Sequence, residues 1–171
     1  MVSFENFMYR RELNQAVRKY SEELLHIQKG EVVVIVCDTK SDMSVVTTCA
    51  EVATQLGAEA IVAKYAMRPD VTMDPPKPVA EAIMHADVII DLCAHHFAYS
   101  DTFEEVIRRK KARISALTGR NAYGMIKTFK GLNLPKTLEV GNKLIEFITK
   151  AKTVTVKSKS GTNLTAEHGD P

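Results

Sequence analysis

The run EVVVIVCD, residues 31–38, decides the fold class. Five β-branched residues follow one another from Val32 to Val36 with no polar alternation, which is the pattern of a strand covered on both faces. Upstream, Phe4, Phe7, Leu13, Val17, Tyr20 and Leu24 recur mainly at threes and fours, predicting an amphipathic helix over 4–27 that ends before Lys29-Gly30. Downstream, Ser41 or Asp42 can cap a helix with Met43, Val46, Ala50, Ala53 and Leu56 on one face and Gly57 closing it.

The same unit then repeats. A strand AEAIVAKYA (58–66) leads through the proline-rich loop MRPDVTMDPPKP (67–78), a candidate lid, to a helix VAEAIMHA (79–86) and a strand DVIIDLCA (87–94). A helix DTFEEVIRRKKA (101–112) and a strand RISALTG (113–119) follow, and a last helix over about 137–151 groups Leu138, Leu144, Ile145 and Ile148. Strands alternating with helices at this spacing predict an α/β fold, a doubly wound, mostly parallel sheet flanked by helices. The period changes in KTVTVKSKSGTNLTAEHGDP (152–171), where Val154 and Val156 alternate with Thr155 and Lys157 before a turn at Ser160-Gly161. This C-terminal β segment reads either as the start of a second domain or as an extension packed on the sheet edge.

Charge and composition remove several function classes. Hydrophobic residues make up 45% and charged residues 26% of the chain, the balance of a globular protein rather than a disordered tail. A net charge of +2 offers no field to recruit nucleic acid or an anionic membrane, and no run is long enough to span a bilayer. The basic run Arg108–Lys111 suits the negative end of a helix dipole. Cys37, Cys49 and Cys93 form no CxxC pair and read as buried reduced thiols. The N-terminus has no apolar leader core, so the expected setting is the cytoplasm.

In open α/β sheets the ligand crevice lies outside the carboxyl ends of the strands. Those ends carry Asp38-Thr39-Lys40, Met67-Arg68, Ala94-His95-His96 and Thr118-Gly119-Arg120. No glycine-rich phosphate loop follows the first strand, and no serine sits in a nucleophile elbow. Asp38, Asp91 and Thr118 resemble a phospho-acceptor receiver layout, yet no second acid flanks Asp38. His95 and His96, as neighbours in an extended segment, point apart and do not readily share a metal. His26 and His85 fall near helix ends, and His168 and Asp170 form an H-x-D triplet at the terminus. The candidate cleft residues are therefore His95, His96 and Tyr99 in the loop DLCAHHFAYSD (91–101), with Asp38 and Arg120. They read either as substrate-facing groups or as ordinary solvated side chains, and no catalytic set is complete.

Three stretches carry a resemblance: KGEVVVIVCDTKSDMSVVTTCAEVATQLGAEAIVAKY, ADVIIDLCAHHFAYSDTFEEVIRRKKARISALTG and TVTVKSKSGTNLTAEHGD. Their order resembles the N-terminal half of the M29-type aminopeptidase (aminopeptidase T) family, with its relatives that include 2,5-dihydroxypyridine 5,6-dioxygenase. The most specific piece is Val156, Ser158, Gly161, Thr162, Leu164 and Thr165. The resemblance implies a Rossmann-like α/β domain over 1–151 and the start of a truncated metal-site domain over 152–171. It implies a metal-dependent aminopeptidase-like hydrolase, or alternatively an Fe(II)-dependent ring-cleaving dioxygenase. A stand-alone binding module without enzymatic activity is a third reading. The divalent metal, Zn, Co or Fe, would be held by a C-terminal domain outside this chain and none by these residues. Peptides or small aromatic rings would be the substrates of a homo-oligomer. In the dioxygenase relatives a histidine in the loop after the third strand approaches the substrate; Tyr99-Ser100 occupy the matching pair here, with His96 and His95 three and four residues before Tyr99.

Overall fold

The computed structural model describes residues 4–109 and 111–167, with side chains from residue 8 onward. Phe4 and Phe7, as core positions, and the His168–Asp170 triplet lie outside the described side chains or residues. Two compact units, Met1–Gly131 and Leu132–Pro171, make up the chain. They part ahead of the last helix, where the sequence reading keeps that helix with the sheet.

In the first unit, strands β1 (Val32–Asp38), β2 (Glu59–Tyr65), β3 (Val88–Asp91) and β4 (Arg113–Ala116) form one parallel sheet in the order β2-β1-β3-β4. The order reverses at β1/β3, so the crossovers run outward on both sides and the helices cover both faces. Helices α1 (Phe4–Lys19), α2 (Met43–Gln55) and α5 (Ala122–Phe129) pack together, and α3 (Lys77–Met84) packs with α4 (Asp101–Arg109). Val34 and Val36 join a core with Ile83, Ile89, Phe97 and Val106. By the alternation of a strand, Val33, Ile35 and Cys37 face the other layer. All five are fully buried, which explains the unbroken apolar run. Burial of each such side chain stabilises the fold by about 1.5–3 kcal/mol.

Three local departures have physical causes. The first helix gives way to a π turn at Tyr20–Leu24. The wider turn absorbs one extra residue, so the buried stripe Leu13, Ala16, Val17, Tyr20 continues through Ser21 and Leu25, leaving Leu24 40% exposed. In α2, Asp42 is the cap, its Oδ1 accepting the Ser44 N–H at 2.9 Å. The buried stripe there is Val45, Val46, Cys49, Val52 and Ala53, and Met43 is exposed. Helix α5 is unanticipated; Asn121 caps it through the Gly124 N–H, and Asp42 Oδ2 takes the Ala122 N–H, both at 2.9 Å.

The second unit holds α6 (Leu134–Lys150) and an antiparallel hairpin, β5 (Thr153–Lys157) with β6 (Asn163–Glu167), turning through Gly161 at φ +102°. On α6 the Glu139–Lys143 and Glu146–Lys150 pairs are one turn apart, while Leu138, Leu144, Ile145 and Ile148 are all exposed. Among the described residues no helix is long and apolar enough to cross a membrane.

Gly57 closes α2 at φ +86°, where a Cβ would lie 2.9 Å from Lys29 Cγ. Gly57→Ala is expected to destabilise the first unit by about 1–2 kcal/mol, because both the left-handed backbone and the Lys29 stem oppose it. Gly131→Ala, where a Cβ meets nothing within 4 Å, should stay within about 0.5 kcal/mol of the parent. Urea midpoints of the two variants provide the check.

Candidate functional site

The switch point between β1 and β3 places the turn after Asp38 beside the turn after Asp91. Asp38 is 0% and Asp91 2% exposed, and both are fully engaged. Asp38 Oδ1 accepts the Lys40 N–H at 2.7 Å, and its Oδ2 accepts Ala94 N–H at 2.7 Å and His95 N–H at 3.4 Å. Asp91 Oδ1 accepts the Cys93 N–H at 3.0 Å and its Oδ2 the Phe97 N–H at 3.4 Å. Ser41 completes the link, its hydroxyl lying 3.0 Å from the Leu92 carbonyl and 3.2 Å from Asp38 Oδ1. Two buried carboxylates thus hold four backbone N–H groups of one short loop.

A loop held this way has little freedom, because releasing it would leave buried carboxylates without donors. Burial raises the Asp91 carboxyl above the usual aspartate range, opposed by the Cys93 and Phe97 hydrogen bonds and the nearby His96. A raised value means the fold favours the protonated acid, so this contribution to stability is present at low pH and is lost as pH rises through the folded value.

The histidines on this loop differ in partner and therefore in proton placement. His95 Nδ1 lies 2.9 Å from the Arg68 carbonyl oxygen. A carbonyl only accepts, so neutral His95 carries its proton on Nδ1 and leaves Nε2 as a bare acceptor. His96 Nδ1 instead accepts the Ala98 N–H at 3.2 Å, which puts its proton on Nε2. The tilted Tyr99 ring lies 5.6 Å from the His96 ring. Two adjacent imidazoles therefore present opposite functions, a proton acceptor at His95 and a donor at His96.

The proline-rich loop lies against these groups. Met67 N–H donates to Thr39 Oγ1 at 3.3 Å, and Asp74 Oδ1 accepts the Thr102 N–H at 2.8 Å. Asp74 thus satisfies a free donor in the first turn of α4. Its carboxyl is held below the usual range by the Thr102 hydroxyl, against partial burial, with help from the Thr102 N–H and the Ser100 hydroxyl. Ser100 is buried and turns back onto the Phe97 carbonyl at 2.8 Å, while its own carbonyl accepts the N–H groups of Phe103 and Glu104.

The five expected cleft residues divide. His95, His96 and Tyr99 share the loop, with Tyr99 68% exposed. Asp38 stands beneath that loop as its anchor, with no exposed oxygen to offer. Arg120 lies elsewhere on the edge: its side chain runs across α5, so that a Cβ on Gly124 would sit 2.7 Å from its Cδ, and among the described residues its buried Nε has no partner. Sequence reasoning undervalued Asp91 and Asp74. The signal available for Asp91 was an acid set inside the apolar run VIIDLCA, 88–94.

The other buried polar groups close off alternatives. Burial raises Cys93, whose thiol lies 3.4 Å from the Tyr65 hydroxyl, and pushes Cys49 up to about 12. Cys37 is raised as well, so none of the three free thiols is a ready nucleophile. Burial likewise raises Tyr20; its hydroxyl lies toward Ser115, which offsets part of the rise, but closes no hydrogen bond of ordinary geometry. Among the described residues no three His, Cys, Asp or Glu side chains converge on a common metal position.

Two outcomes follow from the clamp. Asp38→Asn, which replaces one acceptor oxygen with a donor, should destabilise the first unit by about 2–4 kcal/mol and speed hydrogen exchange at Ala94 by more than about tenfold. Because the Asp74 value is lowered, its contribution is present above the usual aspartate range and is lost as pH falls through the lowered value. Protection of the Thr102 amide should therefore persist across neutral pH and fade only on acidification below about pH 4.

A family model described as NicX, 2,5-dihydroxypyridine 5,6-dioxygenase, matches residues 13–171. The structure of 2,5-dihydroxypyridine dioxygenase from Pseudomonas putida KT2440 superposes with a TM-score of 0.69 at 18% identity, covering 94% of this chain and 48% of that one. The fold is shared, and this chain spans about half the length of that enzyme. A cysteine desulfurase from Thermococcus onnurineus NA1 (TM-score 0.36, 15% identity, 63% of this chain and 26% of that one) is too distant to carry an argument. The same holds for the CurK enoyl reductase (0.38, 14%, 81% and 50%). No curated protein sequence matches. With a family model covering all but the first twelve residues, the chain belongs to the 2,5-dihydroxypyridine 5,6-dioxygenase (NicX) family.

Proposed function

We propose that this chain is the N-terminal, substrate-side part of an iron-dependent dioxygenase that opens a dihydroxypyridine-type aromatic ring. One observation carries the reading beyond family membership: His95 is held with Nδ1–H on the Arg68 carbonyl, leaving Nε2 to accept a proton. Hydroxylated aromatic rings are activated toward oxygen by loss of a hydroxyl proton, and a neutral imidazole with a bare Nε2 is a group that can take it. His96, with its proton on Nε2, is suited to donate a hydrogen bond to a second ring substituent.

The described residues do not fit an iron site, since no three suitable side chains converge. What these residues do is bind the ring, orient its hydroxyl toward His95 and hold the abstracted proton. The aminopeptidase-like hydrolase, the first expectation from sequence, gains no support, as the matching family is that of the dioxygenase. With the dioxygenase reading go a small aromatic substrate, iron bound by residues outside this chain, a homo-oligomeric assembly and a cytoplasmic setting. A net charge of +2 agrees with a substrate that is neither nucleic acid nor membrane.

In the complete protein, His95→Gln should lower kcat for 2,5-dihydroxypyridine by about 10²-fold or more while iron content, read by elemental analysis, stays at the parent level. Alanine variants of His95, His96 and Tyr99 that all retain full turnover would contradict the proposal.

A further inference from the structure

Arg68 follows β2 at the carboxyl edge, and its groups are committed unequally. Its carbonyl accepts the His95 Nδ1 proton at 2.9 Å, which makes the two residues immediate neighbours. Its Nε donates to the Asp74 carbonyl at 3.2 Å, and its guanidinium carbon lies 5.9 Å from the Tyr65 ring centroid, at the outer limit of a cation–π contact. The residue is half-buried. Among the described residues neither Nη atom has a hydrogen-bond partner and no carboxylate pairs with it.

The acids closest in sequence are occupied. Asp70 Oδ1 accepts the Thr72 N–H at 2.7 Å and its hydroxyl at 2.6 Å, and Asp74 Oδ1 caps α4 through Thr102. What remains is a planar donor fork, fixed at Nε, with two Nη groups unspent, on the residue whose carbonyl holds His95 Nδ1. A fixed cation carried by the residue that orients a base suits a group that is anionic or becomes so when it gives up its proton.

We infer that Arg68 receives an anionic oxygen of the ring substrate through its Nη groups, an assignment that rests on the reading of His95 above. The balance is simple: the ring hydroxyl proton moves to His95 Nε2, the O–H electron pair stays on the ring oxygen, and Arg68 holds the resulting oxyanion. The imidazolium formed donates more strongly from Nδ1 to the Arg68 carbonyl, so proton transfer tightens the contact that positions the cation. A carboxylate carried by the ring would satisfy the same fork.

The test uses the complete protein without oxygen, so that binding is read without turnover, and two probes: 2,5-dihydroxypyridine and the same ring bearing a carboxylate. Affinity comes from calorimetry, and ionisation of the bound ring from its ultraviolet absorption. Arg68→Met should weaken binding about ten- to a hundredfold, and Arg68→Lys, which keeps a charge and an aliphatic stem, should recover part of the loss. Loss on both probes, with the ionised-ring band diminished, assigns the ring oxygen; loss confined to the carboxylated probe assigns the substituent. Unchanged affinity of Arg68→Met for both probes, where the parent binds and His95→Gln is impaired, overturns the Arg68 assignment and leaves His95 standing. Failure of the parent to bind either probe overturns both.

Discussion

Two buried carboxylates set the terms for the rest of this site. Asp38 ends β1 and Asp91 ends β3, and between them they accept N–H groups from Cys93, Ala94, His95 and Phe97. The arrangement depends on strand order. Only where β1 and β3 are neighbours and both run toward the same edge can their terminal acids reach one loop. The cost of burying two carboxylates is offset by the donors they gather, and a loop without those donors would leave them stranded. The histidine loop is thus rigid because the sheet beneath it is.

Rigidity in the backbone becomes chemistry in the side chains. With its N–H held by Asp38, His95 reaches the Arg68 carbonyl by Nδ1, and the carbonyl's inability to donate fixes the tautomer. His96, one residue on, meets the Ala98 N–H and takes the opposite tautomer. The loop over 67–76 supplies the Arg68 carbonyl and is fastened in turn by Thr39 and by the first turn of α4. A contact between two loops therefore decides which imidazole nitrogen is free, and Arg68 contributes the carbonyl that orients the base while its guanidinium keeps two unspent Nη groups.

The fold was readable because its signals are local. Five β-branched residues in β1, a cap at Asp42 and a left-handed glycine at position 57 each act within a few residues. The alternation of Val154 and Val156 likewise announced the hairpin. What escaped had non-local or subtle causes. Helix α5 is short, and its Ala122 N–H donates to Asp42, eighty positions away; the π turn at Tyr20 moves the buried face by a single residue, so Leu25 and not Leu24 turns inward. The candidate site was legible as a location, since strand ends converge by topology, but not as roles. Asp38 looked like a cleft acid and is an anchor, because the amides that consume its Oδ2 lie more than fifty residues on. Arg120 shares the edge but folds along α5, and Arg68, passed over as a loop residue, stands next to His95.

The account turns on the proton positions of two adjacent imidazoles, which nitrogen-15 spectra of ring-labelled histidine read directly at a pH where both rings are neutral. The prediction is a protonated Nδ1 and bare Nε2 at His95, with the reverse at His96. Finding His95 with its proton on Nε2, and therefore no donor toward the Arg68 carbonyl, would contradict it.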